Sequence, residues 1–136
     1  MIDTSVEEIL RKYKCRATSI RKKILSFIST EDKAFAISEI EEFFSEAADR
    51  VTIYRTLNTF VELGLVIKML NAKGVAYFFY NGDRHAHKET HPHLYCKSCE
   101  KVICLPKYSE HYLQALDSYN AAHIYVLLEG QCETCR

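Results

Sequence analysis

Cysteine and histidine side chains are concentrated in the second half of this 136-residue sequence, in the run HPHLYCKSCEKVIC and in the segment CETCR. Two CxxC pairs are present, Cys96 with Cys99 and Cys132 with Cys135. One CxxC turn lets two sulfur atoms approach the same ion, and two such turns form a tetrahedral zinc site. The spacing therefore predicts a structural zinc site of four thiolates. Four reduced cysteines that act independently are the alternative.

All six histidines fall between positions 85 and 123. In a strand, His91 and His93 project to the same face, as two ligands of one ion must. Cys104 is either a further ligand of this second site or a small buried apolar residue. Imidazole with thiolate suits zinc, whereas imidazole with carboxylates suits iron or manganese. The other histidines are either additional sensor ligands or ordinary surface and loop residues: His85, His87, His111 and His123.

The composition restricts the class of protein. No apolar run approaches the roughly 18 residues of a membrane helix, and the opening MIDTSVEEILRKYK has no apolar h-region. We therefore expect a cytoplasmic protein without a membrane partner. Six cysteines in that compartment favour metal or redox chemistry over disulfides. No HExxH or comparable motif is present, so we expect neither an enzyme nor a small-molecule substrate.

The elements of the first half are predicted by helical periodicity followed by β-rich runs. Gly64 is the expected left-handed residue that ends the fourth helix. The runs LVIKML and VAYFFY, joined by NAKG, predict a β-hairpin. Four helices and a hairpin predict a winged helix-turn-helix domain over residues 1–80. The helices are predicted to begin at four N-cap residues: Thr4, Thr18, Ser38 and Asp49.

The second half is predicted to begin after a polar hinge over residues 81–92. The segments HLYC and KVICL read as strands around the CKSC turn, and HIYVLLEG reads as a further strand. Residues 93–136 therefore predict a small α/β domain, and the chain as a whole falls in the α+β class. A helix between these strands is predicted from one stripe of residues: Tyr108, Tyr112, Ala115, Leu116 and Tyr119.

Positive charge is concentrated locally although the formal net charge is zero. No acidic residue occurs from Ile9 through Thr30, and such a block can bind phosphate whatever the total charge. The fourth helix leaves Arg55, Asn58 and Thr59 opposite its apolar stripe, where they can read bases or hold phosphates. Double-stranded DNA is the predicted partner, and solvated helix faces are the alternative. The candidate DNA-binding residues are Lys12, Lys14, Arg16, Arg21, Arg50, Thr52, Tyr54 and Arg55.

The run DRVTIYRTLNTFVELGLV, followed by HPHLYCKSCEKVI and a final CxxC, resembles the ferric uptake regulator (Fur) family of bacterial metalloregulators. RATSIRKKIL resembles the opening of that family's second helix. The resemblance implies a homodimeric repressor with an N-terminal winged helix, a C-terminal α/β dimerisation domain and palindromic operators. It implies structural zinc at the four cysteines and DNA reading by Tyr54 and Arg55. It also implies metal sensing by His91, His93 and His123.

Departures from the family pattern bear on the sensed metal. KAFAIS lacks the histidine that iron- and peroxide-sensing members commonly carry there, and YFFY lacks their acid. Cys104 stands where Asp or Glu commonly follows KVI, and His111 lies near a glutamate ligand of some members. These changes favour a zinc-sensing, Zur-like protein over one that senses Fe2+ or Mn2+. His85, His87 and Asp83 are candidates to replace the lost ligands. A peroxide- or thiol-sensing regulator on the same fold is the rival.

Overall fold

The computed structural model of this protein describes residues 5–31, 33–81, 91–120 and 126–136. The chain divides into two compact units, Met1–Arg84 and His85–Arg136, and each is described by itself. Most of the predicted hinge lies outside the described residues. No helix in the described part of the chain combines the length and the apolar character needed to cross a membrane.

The first unit contains four helices and a three-stranded antiparallel sheet with strand order β1-β3-β2. Its core includes Leu25 and Ile28 of the second helix, Leu57 and Phe60 of the fourth, and Phe78 of the third strand, all inaccessible to solvent. Helical periodicity predicted the burial of Ile28, Leu57 and Phe60, because each helix turns one apolar stripe inward. Leu25 lies outside the predicted stripe of its helix, and Phe78 belongs to a strand. The elements are α1 Val6–Lys12, α2 Ser19–Ser29, β1 Phe35–Ala36, α3 Ile37–Phe43, α4 Arg50–Glu62, β2 Val66–Leu70 and β3 Ala76–Tyr80.

Two of the four predicted N-caps are confirmed. The Thr18 hydroxyl accepts the Arg21 N–H at 3.4 Å, and the Asp49 carboxylate accepts the Thr52 N–H at 2.8 Å. For α1 the cap is Ser5, whose hydroxyl accepts the Glu8 N–H at 3.2 Å, whereas Thr4 lies outside the described residues.

The predicted cap Ser38 is wrong, because it lies inside α3. That helix begins earlier, where Ala36 ends the short strand β1. The Glu39 carboxylate accepts the Ala36 N–H at 3.4 Å and so supplies the missing cap contact.

The end of α4 is confirmed at Gly64, which has φ +81°. The Leu65 N–H donates to the Phe60 carbonyl at 2.9 Å and the Gly64 N–H donates to the Val61 carbonyl at 3.1 Å. This is the Schellman arrangement, which satisfies the last carbonyls of a helix. Asn81, at the end of the hairpin, donates its N–H to the Leu65 carbonyl at 2.8 Å and its amide to the Gly64 carbonyl at 3.0 Å.

The second unit contains a three-stranded sheet of order β5-β4-β6, in which β4 pairs antiparallel with β5 and parallel with β6. The strand predicted from HIYVLLEG is observed over its last four residues, and residues 123–125 are outside the described part. Tyr108, which was predicted to belong to the helical stripe, lies before the helix. The N-cap of this helix is Ser109, whose side chain accepts the Tyr112 N–H at 3.1 Å. The elements are β4 His93–Cys96, β5 Val102–Cys104, α5 Glu110–Leu116, a 3-10 turn Asp117–Tyr119 and β6 Leu127–Gly130.

Candidate metal centres and nucleic-acid interface

The structure brings the two CxxC pairs together. The Sγ atoms of Cys96, Cys99, Cys132 and Cys135 all lie within 4.8 Å of one another. Cys96 and Cys132 are buried, and the other two are half-buried. Four sulfur atoms placed at about 2.3 Å around a tetrahedral zinc ion are about 3.8 Å apart. The Cys99 and Cys132 sulfurs are 3.9 Å apart, so the cluster fits a tetrahedral ion with little rearrangement.

The parallel pairing of β4 with β6 creates this cluster. Cys96 and Gly130 are partners in the strand register, so the second CxxC turn begins directly beside the first. The Lys97 N–H donates to the Gly130 carbonyl at 2.8 Å, and the Cys132 N–H points to the Cys96 sulfur at 3.4 Å. The Gln131 amide also donates to the Ser98 hydroxyl at 3.1 Å. Backbone and side-chain contacts therefore hold the two turns face to face.

Thiol acidity within the cluster is divided unequally. Hydrogen bonds from the Cys99 and Cys132 backbone N–H groups lower the pKa of Cys96 to about 6. A side-chain hydrogen bond to Cys135 lowers the pKa of Cys132. Side-chain hydrogen bonds to Cys132 and Cys99 raise the pKa of Cys135 to about 12. The cluster thus favours a first thiolate and resists the last one, which a divalent cation would stabilise by direct coordination.

A second cluster consists of His91, His93 and Cys104, whose ligand atoms lie within 4.8 Å of one another. His93 and Cys104 are register partners across β4 and β5, so their side chains share one face of the sheet. The rings of His91 and His93 are 4.6 Å apart, and the Nε2 atoms of both are buried. The Leu105 N–H donates to the Pro92 carbonyl at 3.0 Å and keeps the histidine segment beside β5. Two imidazoles and one thiol form a donor set suited to zinc.

The remaining predicted sensor ligands do not join this cluster in the described part of the chain. His111 is exposed on α5 and belongs to neither group of metal-binding side chains. His85, His87, His123 and Asp83 lie outside the described residues. Cys15 is buried in the core of the first unit, as expected for a small apolar residue.

The predicted recognition helix α4 presents several of its polar residues to solvent. Arg50, Tyr54 and Arg55 are exposed, and Thr52 is half-buried with its N–H bound by Asp49. The Arg50 side chain lies 3.7 Å from the Glu41 carboxylate. Asn58 and Thr59 are half-buried, and the Thr59 hydroxyl donates to the Arg55 carbonyl at 3.0 Å.

The basic block before α4 is also accessible. Lys12, Lys14 and Arg16 are exposed, whereas Arg21 is half-buried and donates from its guanidinium to the Arg16 carbonyl at 3.1 Å. The sequence patterns gave no indication of Lys68 in β2, whose ammonium donates to the Tyr54 hydroxyl at 2.9 Å. A single lysine in a β-rich run carries no signal until the register places it beside α4.

The sequence model of the ferric uptake regulator family matches residues 12–128. The chain belongs to the ferric uptake regulator family. Members of this Fur family are transcriptional regulators and not enzymes, so the expectation that this protein is not an enzyme is confirmed. Its likeness to Fur structures also confirms the α+β class, with an N-terminal winged helix-turn-helix and a small C-terminal α/β unit.

Three individual relatives show how this Fur-family chain stands among known proteins. The peroxide-responsive repressor PerR of Staphylococcus epidermidis is 24% identical and covers 99% of this chain and 93% of its own length. The Fur structure of Vibrio cholerae is 25% identical, with a TM-score of 0.58 and coverage of 90% and 96% of the two chains. A zinc uptake regulator complexed with zinc and DNA is 22% identical, with a TM-score of 0.70 and coverage of 94% and 88%.

Proposed function

We propose that this chain is a zinc-responsive transcriptional repressor that acts in the cytoplasm as a homodimer on palindromic operator DNA. The observation that carries the zinc assignment is the register pairing of Cys104 with His93, with both histidines in ligand range of the thiol. A thiolate beside two imidazoles favours zinc over Fe2+ and Mn2+. The likeness in fold to a zinc uptake regulator complexed with zinc and DNA supports the same proposal.

The two clusters have different roles in this proposal. The four cysteines hold a permanent structural zinc, because four thiolates close the coordination shell of the ion. The cluster of His91, His93 and Cys104 holds an exchangeable zinc as the sensor site. Three donors leave one position of a tetrahedral site for a fourth ligand. The proposed candidates for that ligand are His85, His87, His111 and His123.

The units divide the work between DNA and dimerisation. Residues 1–80 bind the operator through α4 and the basic block, residues 81–92 form the hinge, and residues 93–136 form the zinc-stabilised dimerisation domain. A metal that binds the DNA-competent arrangement better than the other arrangement shifts the population toward it. Zinc at the sensor site therefore raises operator affinity by linkage and represses transcription.

The test compares Cys104→Ser with wild type under reducing conditions. We expect wild type to hold two zinc ions per chain and to lose one to a mild chelator, while Cys104→Ser retains only the resistant one. Binding is measured on the palindromic duplex that the zinc-loaded wild type selects from a random pool. Zinc should tighten wild-type binding and have little effect on Cys104→Ser. Unchanged metal content and unchanged zinc response in Cys104→Ser would refute the sensor assignment.

Two control variants distinguish the loss of the Cys104 thiol from a general effect on folding. Cys15→Ser removes a buried thiol from the first unit and should leave both zinc ions in place. Cys104→Asp restores an acidic ligand at the sensor site. We expect it to shift the preference of the site from zinc toward Mn2+, because carboxylate oxygen is a harder donor than thiolate.

A peroxide- or thiol-sensing regulator is the second candidate function. It is favoured by the 24% identity to the peroxide-responsive repressor PerR and by the thiol in the second cluster. In that case mild peroxide should oxidise Cys104 or the CxxC thiols, release zinc and release DNA. Counting thiols and released zinc in parallel distinguishes the two functions. A zinc sensor should keep its thiols and its operator at peroxide doses that inactivate a peroxide sensor.

A further inference from the structure

The predicted recognition helix α4 contacts the hairpin of β2 and β3, which is the wing of the predicted winged helix, through the side chains of Tyr54 and Lys68. The Lys68 Nζ atom lies 2.9 Å from the Tyr54 hydroxyl oxygen and 5.2 Å from the centre of the Tyr54 ring. Tyr54 is 40% exposed, so the phenol remains available to a ligand. Lys68 is half-buried and belongs to the middle of β2.

The sheet register explains why the lysine reaches the helix. Lys68 is the register partner of Phe78, which is fully buried in the core that includes Leu57 and Phe60 of α4. Register partners in an antiparallel pair share one face of the sheet. The aliphatic stem of Lys68 therefore lies on the face that carries Phe78, and only its charged end extends to Tyr54. This placement fixes the ammonium at the junction of α4 and the wing.

The chemistry of the contact determines what it can bind. An ammonium group only donates hydrogen bonds, so the Tyr54 oxygen acts as the acceptor and its O–H must point elsewhere. The nearby positive charge polarises that O–H and makes it a stronger donor. The ammonium keeps further N–H groups for other acceptors. An anion beside the pair would receive one hydrogen bond from the phenol and one from the lysine.

We infer that Lys68 and Tyr54 together form a site for one backbone phosphate of the operator duplex. This inference rests on the proposed DNA-binding function and extends it from the helix to the wing. Arg55, exposed on α4, adds positive charge to the same helix, whereas the charge of Arg50 is offset by the Glu41 carboxylate 3.7 Å away. The pair differs from a base-reading contact because a phosphate carries no sequence information. Lys68 thus sets how tightly and in which orientation the domain docks, while other residues of α4 select the sequence.

The experiment measures duplex affinity at several salt concentrations for zinc-loaded wild type, Lys68→Met, Tyr54→Phe and the double variant. Methionine keeps the apolar stem but removes the charge. We expect Lys68→Met to weaken binding by about tenfold or more at low salt. The slope of log affinity against log salt is negative and should become shallower by about 0.9 for each phosphate that is no longer neutralised, hence by about 2 in a dimer. The affinity should fall equally for the operator and for an unrelated duplex.

Two further measurements make the result specific to the pair. Lys68→Arg should restore the salt slope, because it restores the charge. The double variant should lose less affinity than the product of the two single losses, because both side chains bind the same phosphate. Lys101→Met, which removes an exposed lysine from the second unit, is the matched control and should bind like wild type. Melting temperature and zinc content confirm that each variant is folded.

Each contrary outcome has a distinct meaning. An unchanged salt slope in Lys68→Met, or independent losses in the double variant, would overturn the shared phosphate site while leaving DNA binding intact. A loss confined to the operator would overturn it too, because that result indicates base reading by Lys68. Failure of folded, zinc-loaded wild type to bind any duplex would overturn the proposed function, and the phosphate site with it.

Discussion

The two units of this Fur-family chain differ in how many apolar residues their described parts bury. The first unit buries a continuous apolar core that joins all four helices to the sheet. In the described part of the second unit, the buried residues are Tyr95, Cys96, Val102 and Cys132, and none of α5 is buried. Two of these four residues, Cys96 and Cys132, belong to the cluster of four cysteines. A unit of this size with so little apolar burial in its described residues needs another source of stability, and a metal site and association with a second chain are two such sources.

This difference predicts how each unit responds to chelators and to thiol reagents. Apolar burial is unaffected by chelators and by thiol reagents, so the first unit should keep its fold through changes in metal and redox state. Under the proposed function, the order of the second unit depends on the four cysteines, whose thiols must lose protons to bind zinc. We therefore expect a change in metal supply to act on the second unit and to leave the first unit folded.

Removal of the proposed structural zinc should have the largest effect, because it should unfold the second unit and leave the first unit folded. Structural zinc sites in small peptides are worth roughly 10–16 kcal/mol at pH 7, which exceeds the stability of a typical domain. We expect a strong chelator under reducing conditions to unfold residues 93–136 while residues 5–81 remain folded. Backbone amide NMR spectra recorded before and after chelation would measure this directly. Retention of the second unit's spectrum without metal would show that its fold does not depend on the ion.

Acid should mimic chelation at the four-cysteine site. Zinc needs thiolates, so protons compete with the ion and the affinity falls as the pH is lowered. The control is Cys132→Ser, which removes one buried ligand. It should lose the resistant zinc at neutral pH and give a spectrum like that of the chelated wild type.

Truncation of the apolar core should have the next largest effect. It should destabilise the first unit and leave the second unit and its zinc unchanged. Phe60 is fully buried where α4 meets the sheet. Phe60→Ala should destabilise the first unit by about 3–5 kcal/mol, because it removes buried area and leaves a cavity. Denaturant unfolding followed by NMR would show early loss of the first unit with unchanged zinc content. Loss of zinc in this variant would instead indicate that the two units fold cooperatively.

A smaller effect is expected from the cap of the recognition helix. Hydrogen bonds from Thr52 to the Asp49 carboxylate lower the pKa of Asp49. A lowered pKa means that the carboxylate stabilises the fold above its ordinary pKa, near 3.9, and loses this contribution as the pH falls through the folded value. Asp49→Ala should therefore lower the melting temperature of the first unit at neutral pH, and the difference from wild type should disappear in strong acid.

Ser38→Ala is the matched control for this variant. Ser38 is an exposed residue inside α3 and not its cap, so alanine should have no destabilising effect there. An equal fall in melting temperature for both variants would mean that the cap contact at Asp49 contributes nothing specific.

Local sequence signals predicted much of the first unit. Thr18, Asp49 and Gly64 were correct because caps and left-handed ends depend on neighbours within one helical turn. Ser38 was wrong because β1 is only two residues long, and no periodicity can reveal so short a strand. That strand is stabilised by pairing with β3, and its end sets the start of α3.

The second unit depends more on contacts between distant residues. The CxxC pairs were recognised from spacing, but the parallel register of Cys96 with Gly130 joins positions that no local pattern links. The pairing of His93 with Cys104 likewise turned an isolated cysteine into a member of the histidine cluster. The Lys68 contact with Tyr54 could not be predicted, since it depends on how β2 packs against α4.

The parallel strand pair has a consequence for how the second unit forms in time. Cys99 and Cys132, in the turns that follow β4 and β6, are 33 positions apart. Unaided pairing of these two strands must therefore close a long loop and is expected to be slow. Two neighbouring thiols of one turn can capture an ion first. The other pair then meets an ion tethered to its own chain, at an effective concentration far above that of free zinc in solution. Assembly of the unit would thus be set by the supply of the ion during synthesis.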